Sequence, residues 1–181
     1  AGKINMQSQG LAYSLDEGMT WKKYEGNPII GNATMRDFRD PKVFWNEEAK
    51  NWNLVLVAGD RAQFYTSNNL INWNLESEFG QNRGAHGGVW ECPDLFKIKV
   101  KGSQEEKWVL LVSINPGAPN GGSATQYFIG DFDGESAQDL VLGVDEAEAD
   151  LGGVPREGDA LYFFWGGVGG VAFWGGRERR G

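Results

Sequence analysis

Glu91 stands in the run His86-Gly87-Gly88-Val89-Trp90-Glu91-Cys92-Pro93-Asp94-Leu95-Phe96, with an indole before it, a thiol after it and small or apolar residues around them. A carboxyl group in apolar surroundings resists ionisation, which is the property a general acid requires. An acidic residue at the solvent edge of a strand needs no such role, and for Glu91 alone that plainer reading is the commoner one. A second acid changes the balance. Asp40 lies in Asp37-Phe38-Arg39-Asp40-Pro41-Lys42-Val43-Phe44-Trp45, 51 residues before Glu91, and each acid precedes a proline and an apolar strand-like run.

The elements around these acids read as strands. Pro41 to Trp45 and Trp52 to Val57 flank the polar turn 46–51, and Pro93 to Ile98 and Lys107 to Ser113 flank 99–106. Residues 11–30 read as strand, turn, strand. There Ser14-x-Asp16-x-Gly18-x-Thr20-Trp21 forms an Asp-box pattern, whose aspartate closes a hairpin turn through backbone amides while the Trp packs beneath. Phe64 to Trp73 repeats the unit, with Tyr13 and Tyr65 each eight residues before a Trp and 52 residues apart. A weaker third copy spans 126–134. No segment holds a 3.6-residue apolar period, so the chain reads as all-β, with little helix. A period of 40–50 residues holding several short strands is the mark of a propeller blade. Equivalent positions on successive blades converge on the central channel, so the repeat predicts that Asp40 and Glu91 meet at one funnel.

Bulk properties narrow the partners. A formal charge of −8 at pH 7 argues against nucleic acid, which requires a basic face. Residues 160–176 are charge-free but rich in glycine and shorter than a membrane helix requires; they read as buried strand and turn. His86 and Cys92 are the only histidine and cysteine, so a metal centre, an internal disulfide and a bound cofactor find no support. The glycine-rich segment 166–176 lacks the lysine of a phosphate-binding loop. Residues 1–5 contain no apolar signal core.

The blocks 37–45 and 90–96 resemble two of the three signature blocks of glycoside hydrolase family 32, which contains invertases, levanases and exo-inulinases. Ser113 to Ser123 followed by Gln126-Tyr127-Phe128 is similar to a further stretch of these enzymes, and His86 to Trp90 is most similar to bacterial levanases and exo-inulinases. The resemblance covers roughly residues 8–134 and implies a five-bladed propeller, of which about three blades fit in this length. It implies Glu91 as general acid/base, Asp40 as transition-state stabiliser and Arg39 as a holder of sugar hydroxyls or of a carboxylate. An ion pair of Arg39 with Asp37 or Asp40 is an equally good reading. Cys92 reads as packing behind the site and Trp90 as core, with His86 a loop bystander. The implied ligand is a fructose-containing oligo- or polysaccharide, met outside the cell.

Two departures from the family pattern stand out. The family's nucleophile lies in an Asn-Asp-Pro-Asn-like block upstream of the Arg-Asp-Pro block, and residues 1–38 contain none. A retaining glycosidase needs two carboxyls roughly 5–5.5 Å apart, so the second is expected outside this chain, and Asp40 is not its substitute. After residue 134 the pattern dissolves into 135–181, with Asp145 to Asp150 where an Asp-Tyr-Gly-like block is expected. The chain therefore reads as a partial catalytic propeller domain over 1–181. A non-catalytic sugar-binding propeller, an inactive fragment and an inverting five-bladed glycosidase acting on arabinan or xylan remain alternatives.

Overall fold

The computed structural model describes residues 7–119, 121–135 and 141–142. The strands are β1 (Ala12–Tyr13), β2 (Lys22–Lys23), β3 (Phe38–Asn46), β4 (Asn51–Ala58), β5 (Ala62–Ser67), β6 (Asn74–Phe79), β7 (Val89–Lys99), β8 (Glu106–Asn115), β9 (Ala124–Gly130) and β10 (Val141–Leu142). They form two four-stranded antiparallel sheets, ordered β3-β4-β5-β6 and β7-β8-β9-β10, and the separate hairpin β1-β2. Among the described residues there is no helix. The expected strand pairs on both sides of 46–51 and of 99–106 are present, each strand running one to four residues further at its ends.

The two sheets pack as neighbouring blades because each offers an apolar face to the other. Val55, Val57 and Phe64 of the first meet Trp90, Leu110, Val112 and Phe128 of the second in one buried cluster. Phe79 sets its ring edge-on to Phe128, with centroids 4.9 Å apart. Trp90 is wholly buried, and an aromatic side chain so placed contributes roughly 3–5 kcal/mol relative to alanine. Its ring lies over Gly80, where a Cβ would come within 2.3 Å of the indole. β4 is buried on both faces from Asn53 onward, which is why its Leu-Val-Leu-Val core does not alternate. Its second face packs Leu54 and Leu56 with Phe38, Tyr65 and Ile30. Burial and the charge of Glu78 push the Tyr65 hydroxyl up to about 12. β6 closes the first blade as an edge strand carrying Glu76 and Glu78, charges that discourage edge-to-edge pairing.

Both hairpins close their turns as the Asp-box reading predicts, although Trp21 is not packed away and stays 65% exposed. Thr20 N donates to Asp16 Oδ1 at 2.8 Å, Gly18 N donates to Ser14 Oγ at 2.8 Å, and the Trp21 indole donates to Gly18 O at 3.0 Å. The hydrogen bond from the Thr20 hydroxyl, then that from its amide and one from Ser14, hold Asp16 down to about 2. In the second hairpin Asn69 takes the aspartate's place, accepting from Ile71 N and Asn72 N, and the Trp73 indole donates to Leu70 O. By this match β1-β2 corresponds to the outer pair β5-β6, so the described chain holds two blades and the outer hairpin of another.

The weak third copy covers only the first strand of its hairpin, whose return strand β10 lies beyond residue 134. Its first half is β9, but residues 131–135 turn back onto the first blade, where Asn53 Nδ2 donates to Gly134 O at 2.9 Å and Ser77 Oγ to Glu135 O at 2.7 Å. The block 145–150 and the run 160–176 lie outside the described residues.

Candidate active site

The site is built on two β-bulges, and proline explains both. Proline has no N–H to give to a ladder, and Pro41 and Pro93 fall early in the inner strands β3 and β7. Pairing runs from Arg39↔Val57 to Lys42↔Val55 in the first blade and from Glu91↔Ser113 to Asp94↔Leu111 in the second. In each case two residues, Asp40-Pro41 or Cys92-Pro93, stand against one on the partner strand. Asp40 and Cys92 both adopt left-handed backbone, with φ of 58° and 47°.

This register corrects the simple matching of the two acids. The blades repeat with an offset of 52 at the bulges, as they do at Tyr13 and Tyr65, so Arg39 corresponds to Glu91 and Asp40 to Cys92. The acids nevertheless come together as expected, because corresponding positions of adjacent blades face one another. Arg39 Nη2 donates to Glu91 Oε1 at 3.0 Å, Nη1 binds Asp37, and Nε lies 3.7 Å from Asp40 Oδ2. In the opposite direction Cys92 N donates to Asp40 Oδ2 at 3.0 Å. Each blade therefore holds the carboxylate of the other. Further along, Lys42 Nζ lies 3.0 Å from Asp94 Oδ1, close enough for ion pairing though not aligned as a hydrogen bond.

Two expectations about surroundings change. Glu91 faces a guanidinium rather than apolar side chains, since Trp90 and Leu95 of its run turn into the core. Cys92 does not sit behind the site. The left-handed bulge breaks the alternation that would have placed it there, and its sulfur lies 3.8 Å from Asp40 Oδ2 on an exposed residue. Partial burial of the sulfur and then the charges of Asp40 and Glu91 push the thiol up. Burial pulls the Arg39 guanidinium down, but the hydrogen bonds and charges of Asp37 and Glu91 outweigh it, and the group is raised overall.

Trp90 is core, as expected, its indole donating to Ala85 O at 2.8 Å. His86 stacks on it with centroids 4.9 Å apart, and its Nε2 lies 2.8 Å from Gly80 O and 2.9 Å from Arg83 O. The histidine thus fastens the 80–88 loop. That loop meets 115–123 backbone to backbone, since a Cβ on Gly88 would sit 1.5 Å from Pro116 O.

Asp37 belongs to the site, and the sequence offers it only as an ion-pair partner of Arg39. Its position two residues before Arg39, hence on the same side of an extended strand, was the available signal. The segment before β3 fixes the strand's start, with Gln9 Nε2 donating to Phe38 O and Phe38 N to Gln7 Oε1.

Chemically, three carboxylates surround one guanidinium, and all four side chains keep 23–31% of their surface exposed. Such a cluster can accept hydrogen bonds from the hydroxyls of a neutral ligand and present an oriented carboxyl group to a reacting oxygen. Among the described residues no group of three or more His, Cys, Asp or Glu is placed to hold a metal ion. A depression lined by Glu48, Lys97, Trp108 and Asp131 lies toward the other ends of β3 and β7 and includes none of the site residues.

Comparison with known proteins bears on these residues. The family model "Glycosyl hydrolases family 32 N-terminal domain" matches residues 2–152. A levanase of Bacillus subtilis is 60% identical over 129 residues, which are 71% of this chain and 19% of that protein. An extracellular exo-inulinase of Aspergillus niger is 48% identical over 141 residues, covering 72% of this chain and 26% of the relative. Among solved structures, a fructofuranosidase from Schwanniomyces occidentalis complexed with fructose superposes with a TM-score of 0.70 at 39% identity, over 87% of this chain and 28% of that one. An exo-inulinase from Aspergillus awamori gives a TM-score of 0.70 at 40% identity, over 87% and 30%. The chain thus spans about a fifth to a quarter of the length of the curated relatives it matches.

Proposed function

The chain belongs to glycosyl hydrolase family 32, and from that premise we propose that it is part of the catalytic five-bladed propeller of an extracellular enzyme releasing fructose from fructans or sucrose. The observation that carries the reading is the crossed arrangement in which Arg39 holds Glu91 across the blade boundary and the Cys92 amide holds Asp40. It brings an oriented acid and a hydroxyl acceptor to the same patch.

In this reading Glu91 donates its proton to the glycosidic oxygen as the bond from that oxygen to the anomeric carbon breaks. The electron pair leaves with the oxygen, and a second carboxylate bonds to the anomeric carbon. Glu91, now ionised, removes a proton from water as that water displaces the second carboxylate and frees fructose. Asp40 accepts hydrogen bonds from fructose hydroxyls, and these strengthen as positive charge develops on the sugar ring. Arg39 fixes the direction of Glu91 through a planar donor that cannot itself accept. The second carboxylate is supplied from outside these 181 residues.

The test is a chimera in which the matching 129 residues of the Bacillus subtilis levanase are replaced by those of this chain. It is expected to release fructose from levan with retention of anomeric configuration, read by NMR of the first product. A folded chimera without activity would remove the enzymatic reading and favour a sugar-binding propeller, whereas inversion would overturn the retaining mechanism, and release from arabinan or xylan instead of levan would favour the third alternative. The 181-residue chain alone is expected to release none, and efficient release by it would refute the external carboxylate.

A further inference from the structure

Arg39 accounts for how Glu91 is held, but Asp40 is held by a group of another kind. In a regular antiparallel strand the N–H of a residue either joins the ladder or points away from it. Cys92 does neither. The register break between Glu91 and Asp94 leaves its N–H without a ladder partner, and the bulge there holds residue 92 in left-handed backbone, with φ of 47°. That N–H meets Asp40 Oδ2 at 3.0 Å, a charge-assisted hydrogen bond between residues 52 positions apart.

The rest of the Asp40 carboxylate is consistent with an anchoring role for this bond. The same Oδ2 has the Cys92 sulfur at 3.8 Å and Arg39 Nε at 3.7 Å. Among the described residues no hydrogen bond is directed to Oδ1. One oxygen is thus anchored from three directions and the other is left for a ligand. The side chain is 31% exposed, so a ligand can reach it.

We infer that Cys92 is a positioning residue for Asp40, acting through its main-chain N–H, and that its left-handed conformation is what aims that N–H across the blade boundary. The thiol is secondary. L residues adopt this backbone region seldom, because the Cβ crowds the neighbouring carbonyl, and β-branched residues resist it most. The identity of residue 92 therefore governs Asp40 through backbone conformation. For its effect on catalysis, though not for the contact itself, the inference rests on the reading of Asp40 as a sugar-binding group.

The experiment uses the 181-residue chain labelled with 15N and 13C. The amide proton of residue 92 is expected to shift with pH along the titration curve of the Asp40 carboxyl carbon, and Asp40→Asn is expected to abolish that dependence. Cys92→Gly and Cys92→Ser should keep it, the first because glycine accepts positive φ and the second because the amide is unchanged. Cys92→Val should lose it, with residue-92 amide exchange about tenfold faster, as expected for loss of one charge-assisted bond. An amide at 92 that ignores Asp40 in the wild-type chain overturns the inference even if the valine variant fails to fold, as does a folded valine variant that behaves like Cys92→Gly.

A second arm uses the levanase chimera. Cys92→Val should lower kcat/KM for levan about tenfold when Asp40 is present and far less in an Asp40→Asn background. If the amide follows Asp40 but the loss is equal in both backgrounds, the positioning stands and the sugar-binding role of Asp40 fails.

Discussion

The bulges at Asp40 and Cys92 share a backbone and differ in everything they carry. Each holds a left-handed residue before a proline, and each opposes a single residue of the neighbouring strand. Yet one places a cation and then an acid, Arg39-Asp40, where the other places an acid and then a thiol, Glu91-Cys92. The difference shows that the blade repeat supplies geometry and that divergence within it supplies chemistry. Two identical bulges would set like against like. Because these differ, a guanidinium meets a carboxylate and a carboxylate meets an amide, so neither blade alone contains the site.

The comparison breaks most severely at Glu91. In the levanase chimera Glu91→Gln keeps the size and one acceptor oxygen but cannot donate and recover a proton, and kcat on levan is expected to fall about 10³-fold with little change in KM. A loss confined to KM would mean that Glu91 binds the ligand without acting on it. Arg39→Met comes next. It keeps the length of the side chain but leaves Asp37, Asp40 and Glu91 together without their shared cation, and a reduction in kcat/KM of about 10²-fold is expected from the misplaced acid. Recovery of that loss by Asp37→Asn would show charge crowding to be the cause, and equal activity in Arg39→Met would break the link between the blades.

The smallest effect sharpens the comparison through the lone thiol. The site pushes the Cys92 thiol up, so its thiolate fraction at neutral pH is lower than that of a free cysteine and iodoacetamide should alkylate it more slowly. Asp40→Asn removes one of the charges that oppose thiolate formation and should speed alkylation several-fold. Arg39→Met removes the charge that favours it and should slow the reaction. Mass spectrometry of timed samples reads each variant against the parent chain, and a common sign for the two variants would contradict the arrangement of charges around the sulfur.

Much of this was legible in the sequence for identifiable reasons. Prolines 41 and 93, apolar runs after them and polar turns at 46–51 and 99–106 mark the inner strand pairs, and the Tyr-to-Trp spacing marks the hairpins. What could not be read was the one-residue difference between matching Asp40 to Glu91 and matching Arg39 to Glu91. Charge suggests the first and register establishes the second, and register depends on hydrogen bonds that a bulge rearranges. Cys92 was misplaced for the same reason, since strict alternation holds only where the ladder is unbroken. Asp37 illustrates a further limit. Its short spacing to Arg39 was visible, but its value to the site depends on Glu91, 54 residues away.

The segment 131–135 bears on the order in which the chain becomes native. Asn53 is almost wholly buried in the first blade, and its amide donates to the carbonyl of Gly134, 81 residues later. During synthesis from the N-terminus, β3 to β6 can pair while that amide still lacks this acceptor, and the bond closes only after the second blade has left the ribosome. Until then Asn53 Nδ2 has only Asn51 Oδ1 within the first blade, at 3.3 Å, so the burial of this polar group is fully matched only when both blades are present. The loop it closes is long, which places the clasp among the late and slow events of folding.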